Sequence, residues 1–126
     1  MIAVDTSALM AIVLKEPEAD ACKAALAAED EILISAGTVA EALIVSARRS
    51  VDREVGRIID RLGFDVVAVT PASARRIAEA YQRWGRGLHP GLNFGDCFAY
   101  EVAKEHACRL LYVGDDFVKT DIEAVL

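Results

Sequence analysis

Acidic side chains recur along the chain where predicted strands end or where the helices that follow them begin. These residues are Asp5, Glu41, Asp96 and the adjacent pair Asp115 and Asp116. In a parallel α/β sheet, the carboxyl ends of the strands form the crevice in which ligands bind. Two carboxylates gathered there, about 4 Å apart, repel each other by roughly 4 kcal/mol at an effective dielectric of about 20. Because Mg²⁺ and Mn²⁺ take oxygen ligands and cancel such repulsion, the pattern indicates metal-assisted hydrolysis.

Most of these acidic residues also have a structural interpretation when each is taken alone. Glu41 fits an S/T-x-x-E capping box with Thr38. Asp96 suits the first turn of a helix, where the helix dipole favours negative charge. The pair 115–116 fits an ordinary turn. Asp5 differs, because an ionisable side chain directly after a buried strand is costly unless it is paired or bound to metal. Their recurrence at one edge of the predicted sheet favours the metal site.

Length and composition indicate a single domain over residues 1–126. With 54% hydrophobic residues, the chain can bury one core. No apolar run approaches the ~18 to 20 residues that span a bilayer, so we expect no membrane association. Three cysteines without metal-ligand spacing predict free thiols in a reducing cytoplasm. The net charge of −6 argues against a general nucleic-acid coat protein, although bound metal ions would invert the local field of an acidic pocket.

Apolar segments bounded by turn signals predict strands that alternate with helices. The predicted strands cover residues 1–4, 31–35, 64–69 and 109–113. The predicted helices cover residues 8–14, 17–28, 38–49, 51–62, 71–84 and 93–107. Thr6-Ser7 caps the first of them, although residues 8–14 are apolar enough to form a strand instead, and Gly37 lies in a turn before the third. Residues 85–92 form a glycine-rich loop, and residues 120–126 add a short closing element. This alternation predicts a three-layer α/β/α fold with a central, mainly parallel sheet.

Four segments combine the acidic residues with distinctive neighbours. They are MIAVDTSAL (1–9), SAGTVAEA (35–42), LNFGDCFA (92–99) and LLYVGDDFVKTD (110–121). In order and spacing they resemble a PIN domain and, more closely, the VapC toxins of type II toxin–antitoxin systems. This resemblance implies a Mg²⁺- or Mn²⁺-dependent endoribonuclease that a VapB-like antitoxin holds inactive. It also implies a homodimer.

The resemblance assigns roles to the acidic residues. Asp5, Glu41 and Asp96 match the first three acidic positions of the family pattern, and the resemblance implies that Asp5 and Asp96 hold the principal metal ion. The fourth place falls to Asp115 or to Asp116, since relatives often have Asn-Asp at these two positions. Asp115 is preferred because it lies one residue nearer to the strand end.

Polar residues beside these positions are expected to support the site. Thr6 and Ser7 match the hydroxyl residues beside the first aspartate and are expected to hydrogen-bond it or a metal-bound water. Thr120 and Asp121 match the end of the family pattern and are interpreted as supporting or structural residues. Candidates for contact with an RNA phosphate backbone are Arg83, Arg86 and His89.

Other interpretations of the sequence remain open. The apolar helical segments 8–14 and 40–47 are candidates for a groove that takes an antitoxin helix, or they are simply core. A non-catalytic PIN-like binding domain would keep the same fold. A phosphoryl-receiving signalling domain has a similar length and binds Mg²⁺, but it carries its acidic pair after the first strand and a lysine after the last interior strand. This chain has a lone Asp5 early and its acidic pair late.

Overall fold

The computed structural model describes all residues from 1 to 126. The chain forms four strands and six helices, joined by loops and turns. The strands are β1 (Ile2–Val4), β2 (Ile32–Ser35), β3 (Asp65–Val67) and β4 (Arg109–Leu111). The helices are α1 (Thr6–Val13), α2 (Ala19–Ala27), α3 (Ala36–Ala47), α4 (Asp52–Arg61), α5 (Pro71–Trp84) and α6 (Phe94–Glu105). The strands pair in the order β3-β2-β1-β4, and every pair is parallel. This confirms the predicted three-layer fold and shows that the sheet is wholly parallel.

The two faces of the sheet carry separate cores, because successive side chains of a strand point to opposite faces. On β1, Ile2 and Val4 pack with residues of α1, α2, α3 and α4. Ala3 packs on the opposite face with residues of α5 and α6. All three cysteines are free thiols, and Cys22 and Cys97 are buried. None of the six helices has both the length and the apolar composition needed to cross a bilayer.

Two helices begin earlier than the sequence predicts, because the strands lead directly into them. Asp5 caps α1, so the predicted cap at Thr6-Ser7 is wrong. Ser35, the last residue of β2, caps α3 by accepting a hydrogen bond from the Gly37 amide at 3.1 Å. Gly37 therefore lies inside the helix and not in a turn. Thr38 is fully buried within α3 and its hydroxyl has no hydrogen-bond partner, so the alternative interpretation of Thr38 and Glu41 as a capping box is wrong.

The predicted strands at the ends of the sheet are shorter than expected. β4 ends at Leu111, and the Val113 amide donates to the Ser7 hydroxyl at 3.0 Å instead of extending a strand. Residues 120–126 form no helix; they add one parallel bridge between Leu110 and Ala124. The C-terminal segment therefore closes the sheet edge by a single bridge and a turn.

Candidate active site

Asp5 lies at the carboxyl end of β1 and is 3% exposed. Its Oδ2 accepts hydrogen bonds from the Ser7 amide at 3.0 Å and the Ser7 hydroxyl at 2.6 Å. Its Oδ1 is buried and has no hydrogen-bond partner. Burial raises the pKa of Asp5 to about 6, against the lowering effect of the Ser7 hydrogen bonds. An unpartnered buried carboxylate oxygen is costly, and binding of a proton or a cation would remove that cost.

Glu41 reaches the same region from α3. Its Oε1 accepts a hydrogen bond of 2.5 Å from the Thr6 hydroxyl, and its charge contributes to the raised pKa of Asp5. Thr6 therefore orients Glu41, while Ser7 orients Asp5. The two hydroxyl residues beside the first aspartate thus serve different carboxylates.

Gly95 is the residue of α6 that makes room for Glu41. A Cβ atom at this position would overlap with Glu41 Oε2, so any larger side chain displaces the carboxylate. Sequence analysis missed Gly95, although a glycine in the first turn of an apolar helix is a signal of close approach by another group.

Asp96 is the third residue of α6 and is 5% exposed. Its Oδ2 accepts a hydrogen bond from the Asn93 amide at 2.9 Å, and its own amide donates to Asn93 Oδ1 at 2.9 Å. This capping box fixes the carboxylate at the start of the helix. Burial raises the pKa of Asp96 well above its ordinary value, and the charges of Asp5 and Asp116 raise it further.

The turn after β4 brings Asp116, and not Asp115, against Asp96. Asp116 is within hydrogen-bonding reach of the Asp96 carboxyl group and is one of the charges that raise its pKa. Gly114 precedes the pair with a φ of +100°, a conformation that residues with a side chain rarely adopt. The chain bends there, so the aspartate that is nearer in sequence to the strand is not the one that faces Asp96.

Thr120 and Asp121 hold the segment that follows this turn. The Thr120 hydroxyl donates to the Phe117 carbonyl at 2.7 Å and accepts from the Ile122 amide at 3.2 Å. Asp121 accepts hydrogen bonds from the Tyr100 hydroxyl at 2.6 Å and from Lys104 at 3.1 Å. Neither residue contacts the acidic cluster through these bonds, so both act on the position of the turn.

The candidate phosphate contacts are separated by the structure. His89 lies in the loop between α5 and α6 and lines a groove that also includes Asp116. Arg83 instead stacks over Trp84, with its guanidinium carbon 4.7 Å from the ring centroid, in a cleft on another side of α5. Arg86 is exposed in the same loop as His89. Of the three, His89 is therefore the residue that the structure brings towards the acids.

The acidic residues fit a hard divalent cation by their chemistry. Their donors are carboxylate oxygens, Asp5 Oδ1 has no partner, and Asp5 and Asp96 both have raised pKa values. No group of three or more His, Cys, Asp or Glu side chains is already spaced as a metal site, and Glu41 is turned to Thr6. An incoming cation would therefore draw the carboxylates closer while it neutralises their repulsion.

Known proteins share both the sequence and the fold of this chain. A match to the PIN domain family covers residues 2–123. Ribonuclease VapC30 of Mycobacterium tuberculosis is 40% identical over 126 residues, covering 97% of this chain and 96% of the relative. Two solved structures share the fold at low sequence identity.

The first of these structures is VapC20 of M. tuberculosis, described as a toxin that cleaves the sarcin-ricin loop. It superposes with a TM-score of 0.79 at 18% identity and covers 99% of this chain and 98% of its own. The second is VapBC2 of Rickettsia felis bound to a promoter DNA fragment. It has a TM-score of 0.68 at 14% identity and covers 98% and 96% of the two chains. The family match and the full-length relative together show that the chain belongs to the PIN domain family and, within it, to the VapC ribonucleases.

Proposed function

We propose that this chain is the toxin of a toxin–antitoxin pair and that it hydrolyses RNA phosphodiester bonds as a divalent-metal-dependent endoribonuclease. The observation that supports this most directly is the buried Asp5 carboxylate, whose Oδ1 has no partner and whose neighbours at the sheet edge are also carboxylates. Such an arrangement destabilises the metal-free protein, which is expected of a site that serves ion binding rather than folding.

Asp5 and Asp96 would hold Mg²⁺ or Mn²⁺, and Glu41 and Asp116 would complete the acidic set. When bound, the ion would supply a polarised water and neutralise charge on the phosphate. The protein's own part is orientation: Ser7 fixes one oxygen of Asp5, which leaves the other free, and the capping box fixes Asp96. The receiver-type alternative is rejected, because the chain belongs to the PIN family.

We also propose that a VapB-like antitoxin binds this chain in the cytoplasm and that the chain forms a homodimer. The shared fold with the toxin of a VapBC complex supports the partner. Most of the predicted groove segment in α1 is core, since Ala8, Leu9 and Ala11 are fully buried. On α3, Leu43 and Ile44 remain exposed, so this helix keeps the apolar surface that a partner would need.

A cleft elsewhere on the surface suits a helical partner better than the apolar segments 8–14 and 40–47 that the sequence analysis named. It lies between α1, α2 and α4, has a volume of about 520 Å³, and has an apolar floor that includes Ile12 and Leu26. Four basic residues and a single acidic one, Glu54, also line it; the basic residues are Lys15, Lys23, Arg57 and Arg61. An amphipathic antitoxin helix with acidic flanks would match this apolar floor and its cationic rim.

Cleavage of a labelled RNA panel tests the proposed activity. We expect wild-type protein to cleave at least one RNA with Mg²⁺ or Mn²⁺, and we expect EDTA and the Asp96→Asn substitution to abolish cleavage. Cleavage by the Asp96→Asn protein at the wild-type rate, after a contaminating nuclease has been excluded, would contradict the assignment. Absence of cleavage by the wild type across transfer, ribosomal and messenger RNAs would favour the non-catalytic binding domain.

Substitution of Gly95 by alanine should reduce cleavage without unfolding the protein. The added Cβ displaces the Glu41 carboxylate, and misplacement of a functional group by about 1 Å can cost about 100-fold in rate. We expect kcat to fall by about 10- to 100-fold, measured by single-turnover cleavage. Gly56→Ala in α4 is the matched control, because no other group lies within 4 Å of the position that its Cβ would take. An unchanged rate for Gly95→Ala would show that the position of Glu41 is unimportant.

A further inference from the structure

Phe94 is an aromatic residue that the proposed chemistry does not use, yet it lies between two residues of the acidic site. It is the first residue of α6 and is 75% exposed. Asn93, which caps Asp96, precedes it, and Gly95, which accommodates Glu41, follows it. Its ring packs edge-to-face against Phe98, with centroids 5.0 Å apart and planes at 87°. The helix cap that positions Asp96 therefore also fixes the start of α6, where this ring lies.

An apolar groove opens beside Phe94, between α5 and the loop of residues 85–92. Its volume is about 960 Å³. Its lining includes Phe94 and two further exposed apolar side chains, Tyr81 and Val69, so these exposed groups are concentrated on one surface. Asn93 and Asp116 also line it, which makes the groove continuous with the acidic cluster. A single exposed apolar residue needs no explanation, but a cluster beside a functional site does.

The rim of the groove also carries a cation in a protein whose net charge is −6. Lys119 donates a hydrogen bond of 2.6 Å to the carbonyl of His89, which lines the groove. On its other side, Phe94 borders a cleft of about 400 Å³ that Glu41 lines. A ligand that reaches the acids would thus meet an aromatic ring, an apolar groove and a positive charge at the same place.

We propose that Phe94 and this groove bind an unpaired nucleobase of the RNA strand, next to the phosphate that lies at the acidic site. The proposal rests on the ribonuclease function and names the form of RNA that the site accepts. Nucleobases stack on aromatic side chains whatever their sequence, and their flanking phosphates require positive charge. A base held in a duplex cannot turn into the groove, so the bound RNA is single-stranded at this position.

Binding and cleavage of a labelled single-stranded RNA test the role of Phe94. Affinity is measured by fluorescence anisotropy in EDTA, and kcat and KM are measured in Mg²⁺. Because stacking on one ring accounts for about 5- to 150-fold in affinity, we expect Phe94→Ala and Phe94→Leu each to raise Kd and KM by about 10-fold, with kcat changed less than about 2-fold. Phe94→Tyr and Phe94→Trp should bind as the wild type does. Val66→Ala, at an exposed apolar position of β3, is the control and should change neither constant.

Several outcomes would overturn the inference. Wild-type affinity in Phe94→Leu would show that any apolar side chain suffices, and wild-type affinity in Phe94→Ala would show that the ring is not used. Failure of the wild type to bind single-stranded RNA would have the same meaning. Light scattering measures the oligomeric state of each variant. If Phe94→Ala changed the oligomeric state and Phe94→Leu kept that of the wild type, Phe94 would be a contact between two copies of the chain. If the wild type cleaves RNA and Phe94→Ala binds and cleaves it equally well, only this inference is rejected. If the wild type binds RNA without cleaving it and Phe94→Ala loses that binding, only the proposed activity is rejected.

Discussion

Replacement of Asp5 by asparagine should abolish RNA cleavage and at the same time stabilise the metal-free protein. Cleavage should fall by at least about 100-fold, since loss of a side chain that only supports a metal ligand already costs about 10- to 100-fold. The gain in stability follows from the pKa of Asp5, which burial raises from 3.8 to about 6. The folded protein therefore binds this proton more tightly than the unfolded chain does.

The sign of the pH dependence follows directly from this shift. The unfavourable contribution of Asp5 is absent below about pH 4, grows as the pH rises to about 6, and is fully present at pH 7. A shift of about two pKa units corresponds to about 3 kcal/mol. Because asparagine remains uncharged, the substitution should recover about 1 to 3 kcal/mol at pH 7 in EDTA and almost nothing at pH 4.

Denaturant unfolding in EDTA and in Mg²⁺ measures the unfolding free energies of the wild type and of Asp5→Asn. We expect Mg²⁺ to raise the unfolding free energy of the wild type and to leave Asp5→Asn unchanged. Ser7→Ala removes a hydroxyl that donates to Asp5 but keeps the carboxylate, so it serves as a control that should lower stability. A lower stability of Asp5→Asn than of the wild type in EDTA at pH 7 would contradict the proposed strain.

Asp116→Asn should impair cleavage much more than Asp115→Asn does. Asp116 approaches Asp96 and lines the groove beside it, whereas the Asp115 carbonyl accepts the hydrogen bond from the Val118 amide that forms the turn. We expect a loss of about 10-fold or more in kcat/KM for Asp116→Asn, because removal of a carboxylate that adjoins the metal ligands costs about 10- to 100-fold. For Asp115→Asn we expect a loss of less than about 2-fold.

The pH dependence of kcat/KM provides a second measurement on the same two proteins. Asp116 raises the pKa of Asp96, so its replacement should shift the acidic limb of the profile to lower pH. Asp115→Asn should leave that limb in place and is the matched control, since it removes one carboxylate from the same turn. If Asp115→Asn caused the larger loss, the fourth acidic place would belong to Asp115, as its position nearer to the strand suggested.

The sequence predicted the layers and the sheet edge because those features follow from local patterns. Short apolar segments and some helix starts, such as that of α5 at Pro71, are readable from neighbouring residues alone. Asp5 and Asp96 could be placed for the same reason, since each lies at the end of a strand or the start of a helix.

Features that depend on contacts between distant elements could not be predicted. Glu41 fits a capping box in sequence, but its partner is Thr6, 35 residues away, and the space it occupies depends on Gly95. Which of the two adjacent aspartates faces Asp96 depends on the bend of the backbone at Gly114, where φ is +100°. The exposure of Phe94 beside a groove could not be predicted either, because the groove forms only when α5 packs with the loop of residues 85–92 and with α6.

The Ser7 hydroxyl links the two ends of the chain, and this has a consequence for when the protein becomes competent during synthesis. It donates to Asp5 at 2.6 Å and accepts from the Val113 amide at 3.0 Å, a residue 106 positions later. Asp116 is also translated only after β4. A nascent chain that is still on the ribosome thus carries Asp5 early but lacks the strand that completes its surroundings. A chain truncated before β4 would likewise contain all six helical segments and Asp5, Glu41 and Asp96, but it would lack Val113 and Asp116.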